Sequence, residues 1–202
     1  MPNMRMICNG KKEEKNFFVN SSGNLGSVRS NFLVVGNRIP KDYFITSGVG
    51  ESDITVHAGS FHVALKEAGI HRCNIITYSS ILPAIAQEVN RPKKLVHGSV
   101  LETIMACANS RKGERATAGL IIGWLYGKGS KYGGLVCEYS GNGTEEEARK
   151  QLVESLQELH SNGLKKYELR DVKAIIRSFV PVKNFGTALV AICFVNYVYP
   201  VV

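Results

Sequence analysis

Apolar positions along the chain follow two periods. Phe61, Ala64, Leu65 and Ala68 recur at i, i+3, i+4 and i+7, which predicts a helix over 58–69 stopped by Gly69. A second helix runs over 144–159. Ala148, Leu152, Leu156 and Leu159 form its apolar stripe, Thr144 and Glu147 have the spacing of a capping box, and Gly163 ends it. Most of the remainder reads as strands. FLVVG after Asn31 and DYFITSG after Lys41 are separated by Asn37-Arg38-Ile39-Pro40, and Gly48-Val49-Gly50 closes the second of them. Further strands are expected over 73–78, 100–108, 116–126, 134–139, 172–180 and 187–197. Turns fall at Ser79-Ser80-Ile81-Leu82-Pro83, Lys112-Gly113 and Gly127-Lys128-Gly129. Strands outnumber helices, and two amphipathic helices each need a sheet face to cover. The economical answer is an α+β fold, a four-layer αββα sandwich built as one domain over 31–202. Residues 1–30 read as a polar N-terminal arm, with Ser21-Ser22-Gly23-Asn24 as a linker signal.

Composition narrows the class. The chain has 202 residues, 44% hydrophobic and 21% charged, which is ordinary for a folded domain. Its longest apolar run, Ala188 to Val195, stops at Asn196, short of the roughly 18 residues a membrane span needs. The first eighteen residues show neither an apolar h-region nor a small-residue cleavage site, so no secretory signal and no membrane partner are expected. The five cysteines (Cys8, Cys73, Cys107, Cys137, Cys193) are odd in number and widely spaced. They read as free thiols in a reducing, cytoplasmic setting rather than a disulfide framework or a zinc site, and no metal is expected. The net charge of +8 is dispersed, with its densest patches at 11–15 and 91–94. Without a nucleic-acid-binding motif beside them, these patches predict no nucleic-acid partner.

The common catalytic signatures, GxSxG, the Walker loop, HExxH and the Rossmann fingerprint, do not occur. Ser79-Ser80 follows a β-branched strand, and by itself a serine pair there is turn chemistry, as at Ser21-Ser22. Taken alone, Glu138 reads as an outward-facing strand residue, Asn74 as a strand-start turn residue and Leu65 as helix core.

The context of these residues resembles the pyruvoyl-dependent arginine decarboxylase family. One block is Ala64-Leu65, Ala68-Gly69-Ile70, Asn74 and Ser79-Ser80-Ile81-Leu82-Pro83. A second, in the right order downstream, is Gly134-Leu135-Val136-Cys137-Glu138-Tyr139 with the helix from Thr144. The resemblance covers most of the chain from about Asn31. It implies a proenzyme that cuts itself between Ser79 and Ser80 into a β chain, 1–79, and an α chain, 80–202. Its cofactor would be pyruvate, held as a covalent pyruvoyl group derived from Ser80. That carbonyl would engage the substrate amine and take up the electrons released as CO2 leaves. Ser80, Glu138 and Asn74 would be catalytic, Glu138 as the acid that returns a proton. Leu65 would line the substrate pocket. The implied product is agmatine from arginine, a polyamine precursor, and the implied assembly is a trimer with sites between protomers.

One position departs from this pattern. Three residues before Leu65 the family usually has an Asp suited to a guanidinium, and this chain has His62. Imidazole cannot replace a bidentate carboxylate. Either Glu51, Asp53 or Glu67 compensates, or a different amino acid is the substrate. The remaining alternative is an uncleaved, catalytically silent paralogue.

Overall fold

The computed structural model describes residues 37–200, and residues 37–199 form one compact unit. The strand expected at FLVVG and the polar arm over 1–30 lie outside the described residues. Nine strands and two helical segments follow one another. They are β1 (Ile39–Ser52), a wide π-type turn (Val56–Phe61) leading into α1 (His62–Glu67), β2 (Asn74–Thr77), β3 (Ile81–Pro83) and β4 (Gln87–Glu88). After these come β5 (Val100–Arg111), β6 (Ala116–Gly127), β7 (Ser130–Gly141), α2 (Glu145–Ser161), β8 (Glu168–Phe179) and β9 (Phe185–Val198).

The strands build two sheets. One has the order β2-β5-β9-β1-β4 and the other β3-β7-β6-β8. Period-two alternation in the central strands explains the stacking. In β9, Ala188, Val190, Ile192 and Phe194 point into the core between the sheets, against Ala116, Ala118, Leu120 and Ile122 of β6. The intervening Leu189, Ala191 and Cys193 face outward and are covered by Ala64, Leu65 and Ala68 of the α1 segment. On the other sheet, Ile121, Leu125, Leu135 and Cys137 are covered by Leu152 and Leu156 of α2. The fold is the α+β, four-layer αββα sandwich.

Local chemistry matches the pattern at several ends. Thr144 and Glu147 make both bonds of the capping box, Thr144 Oγ1 accepting from Glu147 N at 3.2 Å and Glu147 Oε2 from Thr144 N at 2.8 Å. Lys128 and Gly129 both take positive φ, as the two central residues of a tight hairpin between β6 and β7 require. Leu159 is an exception to the α2 stripe. It is 42% exposed, while Ala148, Leu152 and Leu156 are buried.

Two segments differ from the sequence reading. Gly48-Val49-Gly50 does not close a strand. β1 starts at Ile39 and runs through these residues in register with β9, Gly48 opposite Leu189 and Gly50 opposite Thr187. The glycines serve helix approach instead. A Cβ on Gly48 would lie 2.2 Å from Ala64 O, and one on Gly50 would lie 2.1 Å from Ser60 O. The second difference is at Ile81-Leu82-Pro83, a short strand rather than a turn. Leu82 is fully buried in the core between the sheets, and Ile81 pairs with Leu135 of β7.

Replacing Gly48 with Ala tests the close approach. The contact is backbone to Cβ, so the α1 segment must shift, and stability is expected to fall by about 1–3 kcal/mol, as in other overpacked cores. A lower urea midpoint at unchanged slope is the expected result. An unchanged midpoint would show that helix and sheet are not in tight contact there.

Candidate active site

Tyr78-Ser79-Ser80 is the point where the chain leaves one sheet for the other. Tyr78 N–H donates to Thr103 O at 2.7 Å, extending the β2–β5 ladder of the first sheet. Ser80 O accepts from Val136 N at 2.9 Å, extending the β3–β7 ladder of the second. Ser79 alone lies between these anchors. Its carbonyl accepts from Ile81 N–H at 2.9 Å, two residues on. Ser80 is not among the residues with positive φ, so this tight loop is an inverse γ-turn centred on it.

Strand alternation then decides where the Ser80 side chain goes. Leu82 points into the core between the sheets, so Ser80, two residues earlier, shares that face. On β7, Val136 points into the same core, so Glu138 shares it as well. The register puts Ser80 opposite Val136 and makes Glu138 its diagonal neighbour. Ser80 Oγ donates to the Glu138 carboxylate, lying 2.7 Å from Oε1 and 2.9 Å from Oε2. Ser80 is half-buried and Glu138 exposed in the single chain.

Behind this pair is a carboxylate that the sequence reading did not single out. Glu102 on β5 is 2% exposed, accepts from Tyr78 Oη and pairs with the Arg38 guanidinium. The Tyr78 ring also packs on Phe194, with centroids 5.5 Å apart. The residue two before Ser80 is therefore held by backbone, side-chain hydroxyl and ring. The only sequence signal for Glu102 is a lone acid within the apolar run of β5.

Asn74 and Leu65 lie elsewhere in the protomer. Asn74 starts β2, at the end remote from Ser80, and its Nδ2 donates to Gly98 O at 2.9 Å. Leu65 is 7% exposed, packed between α1 and the first sheet. His62 is exposed, its ring edge-on to His71 with centroids 5.8 Å apart. The three acids near it in sequence are committed locally. Glu51 accepts from Val182 N at 2.7 Å and Asp53 from Asn184 N at 3.1 Å, while Glu67 pairs with Arg177 at 2.7 Å.

The described cysteines do not compete with Ser80 as nucleophiles. Cys73, Cys107, Cys137 and Cys193 are free thiols. Burial pushes Cys107 and Cys137 up to about 11, so both stay protonated near neutrality.

A serine hydroxyl held by a carboxylate, next to a hydrogen-bonded carbonyl at an exposed sheet switch, has the donor set for chain cleavage and pyruvoyl formation. Comparisons with known proteins identify the family. The sequence model of the pyruvoyl-dependent arginine decarboxylase family matches residues 42–199. The chain belongs to the pyruvoyl-dependent arginine decarboxylase family. It is 32% identical over 168 residues to pyruvoyl-dependent arginine decarboxylase 2 of Archaeoglobus fulgidus, covering 78% of this chain and 98% of that protein. Identity to the pyruvoyl-dependent arginine decarboxylase of Thermococcus sibiricus is 30% over 154 residues, covering 75% and 92%. The pyruvoyl-dependent arginine decarboxylase AaxB of Chlamydia abortus is 32% identical over 185 residues, covering 80% and 94%. The family is one of carboxy-lyases with a covalent pyruvoyl cofactor, and Ser79, Ser80 and Glu138 of this member all lie inside the matched region.

Tyr78→Phe tests the anchor behind the site. The ring stays and the buried Glu102 loses one of its two partners, at an expected cost of about 1–3 kcal/mol. For a chain of this size that lowers the thermal midpoint by about 2–4 °C per kcal/mol. An unchanged midpoint would mean that Arg38 alone satisfies Glu102.

Proposed function

We propose that the chain cuts itself between Ser79 and Ser80 and then decarboxylates arginine to agmatine and CO2. The observation that carries this reading is the bond from Ser80 Oγ to both oxygens of Glu138, at a peptide fixed on each side by a different sheet. With the Ser80 proton drawn toward Glu138, Oγ attacks the Ser79 carbonyl carbon. The Ile81 N–H already bonded to that carbonyl oxygen stabilises the negative charge that develops there. The C–N bond breaks, leaving an ester from Ser79 to Ser80 Oγ and a free amine on residue 80. Loss of the Cα proton of residue 80 then expels Ser79 as a carboxylate. Water replaces the nitrogen, which departs as ammonia, and residue 80 is left as the pyruvoyl group.

When in place, that group supplies the electron sink for loss of CO2. The remaining work falls to the chain. Glu138, already in contact with residue 80, is placed to return a proton to the substrate α-carbon. Asn74 and Leu65 precede Ser80 by 6 and 15 residues and lie on other elements, so they reach a reacting centre only in an assembly where one protomer supplies what the other lacks. A trimer of αβ protomers, each site shared between neighbours, accounts for both. The protein is then cytoplasmic, and among the described residues no helix is long and apolar enough to cross a membrane.

His62 supports a second reading of the substrate. Glu51, Asp53 and Glu67 are bound to local partners, so none stands as a ready replacement for a pocket carboxylate. Decarboxylation of a different amino acid is the alternative. His62→Asp, assayed on arginine and a panel of amino acids, separates the two. A large gain for arginine would show that the unaltered protein prefers another substrate, and unchanged rates throughout would remove His62 from the pocket.

Processing is read on a denaturing gel. The 22.2 kDa chain should give fragments of about 8.7 and 13.5 kDa, scaled by residue number. The larger fragment should resist Edman sequencing, because a pyruvoyl end has no amine, and a free amino-terminal Ser on it would refute the cofactor assignment. Ser80→Ala should remain one chain. Glu138→Gln keeps one acceptor for the Ser80 hydroxyl but can neither draw its proton nor return one, so cleavage should slow, and in the cleaved fraction turnover should fall about 10²–10⁴-fold. Near-normal turnover in fully cleaved Glu138→Gln would place the acid elsewhere.

A further inference from the structure

A cluster of cations that the decarboxylation chemistry does not use gathers just beyond α1. The segment after the helix carries Gly69, His71 and Arg72, and the loop before β5 carries Lys93, Lys94 and Leu95. Together they line a cleft of about 190 Å³. Along the chain, β2 lies between His71-Arg72 and Ser80. The floor of the cleft is ordered. Gly69 has φ +74°, and a Cβ there would lie 2.0 Å from Arg91 Nη1, which donates to Ala68 O at 3.1 Å. Arg91 is thereby fixed against the same turn.

Among the described residues, Arg72, Lys93 and Lys94 have no acidic partner within ion-pair distance. The acids nearest in sequence are engaged elsewhere, Glu67 with Arg177 and Glu88 with Lys173. His71 Nδ1 is buried with no hydrogen-bond partner. Burial first, then Arg72, His62, Lys66 and His97, hold the His71 imidazole below its ordinary range. Converging like charges are costly unless something of opposite charge occupies the space.

We propose that this cleft binds a phosphate-type oxyanion, either free or as the phosphate group of a larger molecule. Its size accommodates one such group with a few waters, each needing about 30 Å³. Arg72 supplies the planar fork that pairs with two oxygens at once, and Lys93 and Lys94 supply mobile point charges at the rim. Among the described residues no carboxylate lines the cleft, so cations are disfavoured and an arginine side chain finds no partner among them.

The test is thermal unfolding of the processed protein in inorganic phosphate, in AMP and in chloride, at matched ionic strength and pH. Phosphate should raise the midpoint above that in chloride by about 2–4 °C. The triple variant Arg72→Gln, Lys93→Gln, Lys94→Gln should lose that difference. A control with the same charge removed from exposed positions elsewhere, Lys150→Gln, Lys165→Gln, Lys183→Gln, should keep it. A shift from AMP at lower concentration than from phosphate assigns the site to a phosphate group on a larger molecule, and a shift from phosphate alone assigns it to the free anion. Equal midpoints in phosphate and chloride, or an equal shift in the cleft variant and the unaltered protein, would overturn the proposal. Isothermal titration of the unaltered protein with phosphate reads the same site without any variant, and heat no greater than that of chloride would overturn it equally.

Discussion

The chain has to pass from one sheet to the other within a single residue, and the candidate site follows from that constraint. Tyr78 N–H is committed to Thr103 in the first sheet and Ser80 C=O to Val136 in the second. Only Ser79 lies between them, and its carbonyl is folded back onto Ile81 N–H. A peptide held this way has few conformations available, so the relation between Ser80 Oγ and its surroundings is set by two ladders rather than by a free loop. The same arrangement explains how a chain break can be tolerated. Each end produced by a cut after Ser79 stays hydrogen-bonded in its own sheet, and no strand is divided.

The layered packing sets the faces on which this depends. β9 and β6 direct alternate residues to the shared core, and each sheet's outer face is covered by one helical segment. The α1 segment lies close because Gly48 and Gly50 present bare backbone to it. With both outer faces covered, the inward set of each strand is unambiguous. Leu82 then forces Ser80 inward from the edge of one sheet, and Val136 does the same for Glu138 one strand away. Glu102, buried beneath Tyr78 with Arg38 as counter-charge, adds a second anchor to the first sheet's side of the switch.

Charge is divided between two regions with opposite character. Glu138 faces residue 80, and a carboxylate there suits proton transfer. The cations Arg72, Lys93 and Lys94 gather beside His71 near the start of β2, where among the described residues nothing acidic lines the cleft. The net charge of +8 describes neither region. Electrostatics within a site is local, because a charge a Debye length away is largely screened while a neighbour at hydrogen-bond distance is not.

Periodicity by itself determined the two helices, the predominance of strands and the four-layer order, because an apolar stripe or alternation states how much of an element must be covered. The capping box at Thr144 and the hairpin at Lys128-Gly129 were equally legible, since both are local chemistry. The family was legible too, in two separated blocks of residues. Tertiary structure alone decided the use of Gly48 and Gly50, which read locally as a strand end and prove to be a contact between layers. It alone made a strand of Ile81-Leu82-Pro83, because only the partner β7 supplies the ladder. It alone brought Ser80 and Glu138, 58 residues apart, to 2.7 Å. It also set Asn74 and Leu65 away from that pair within the protomer. Local pattern specifies what a residue can do and which face it needs. Which residues from distant strands meet on that face depends on sheet order and register, and these are properties of the whole chain.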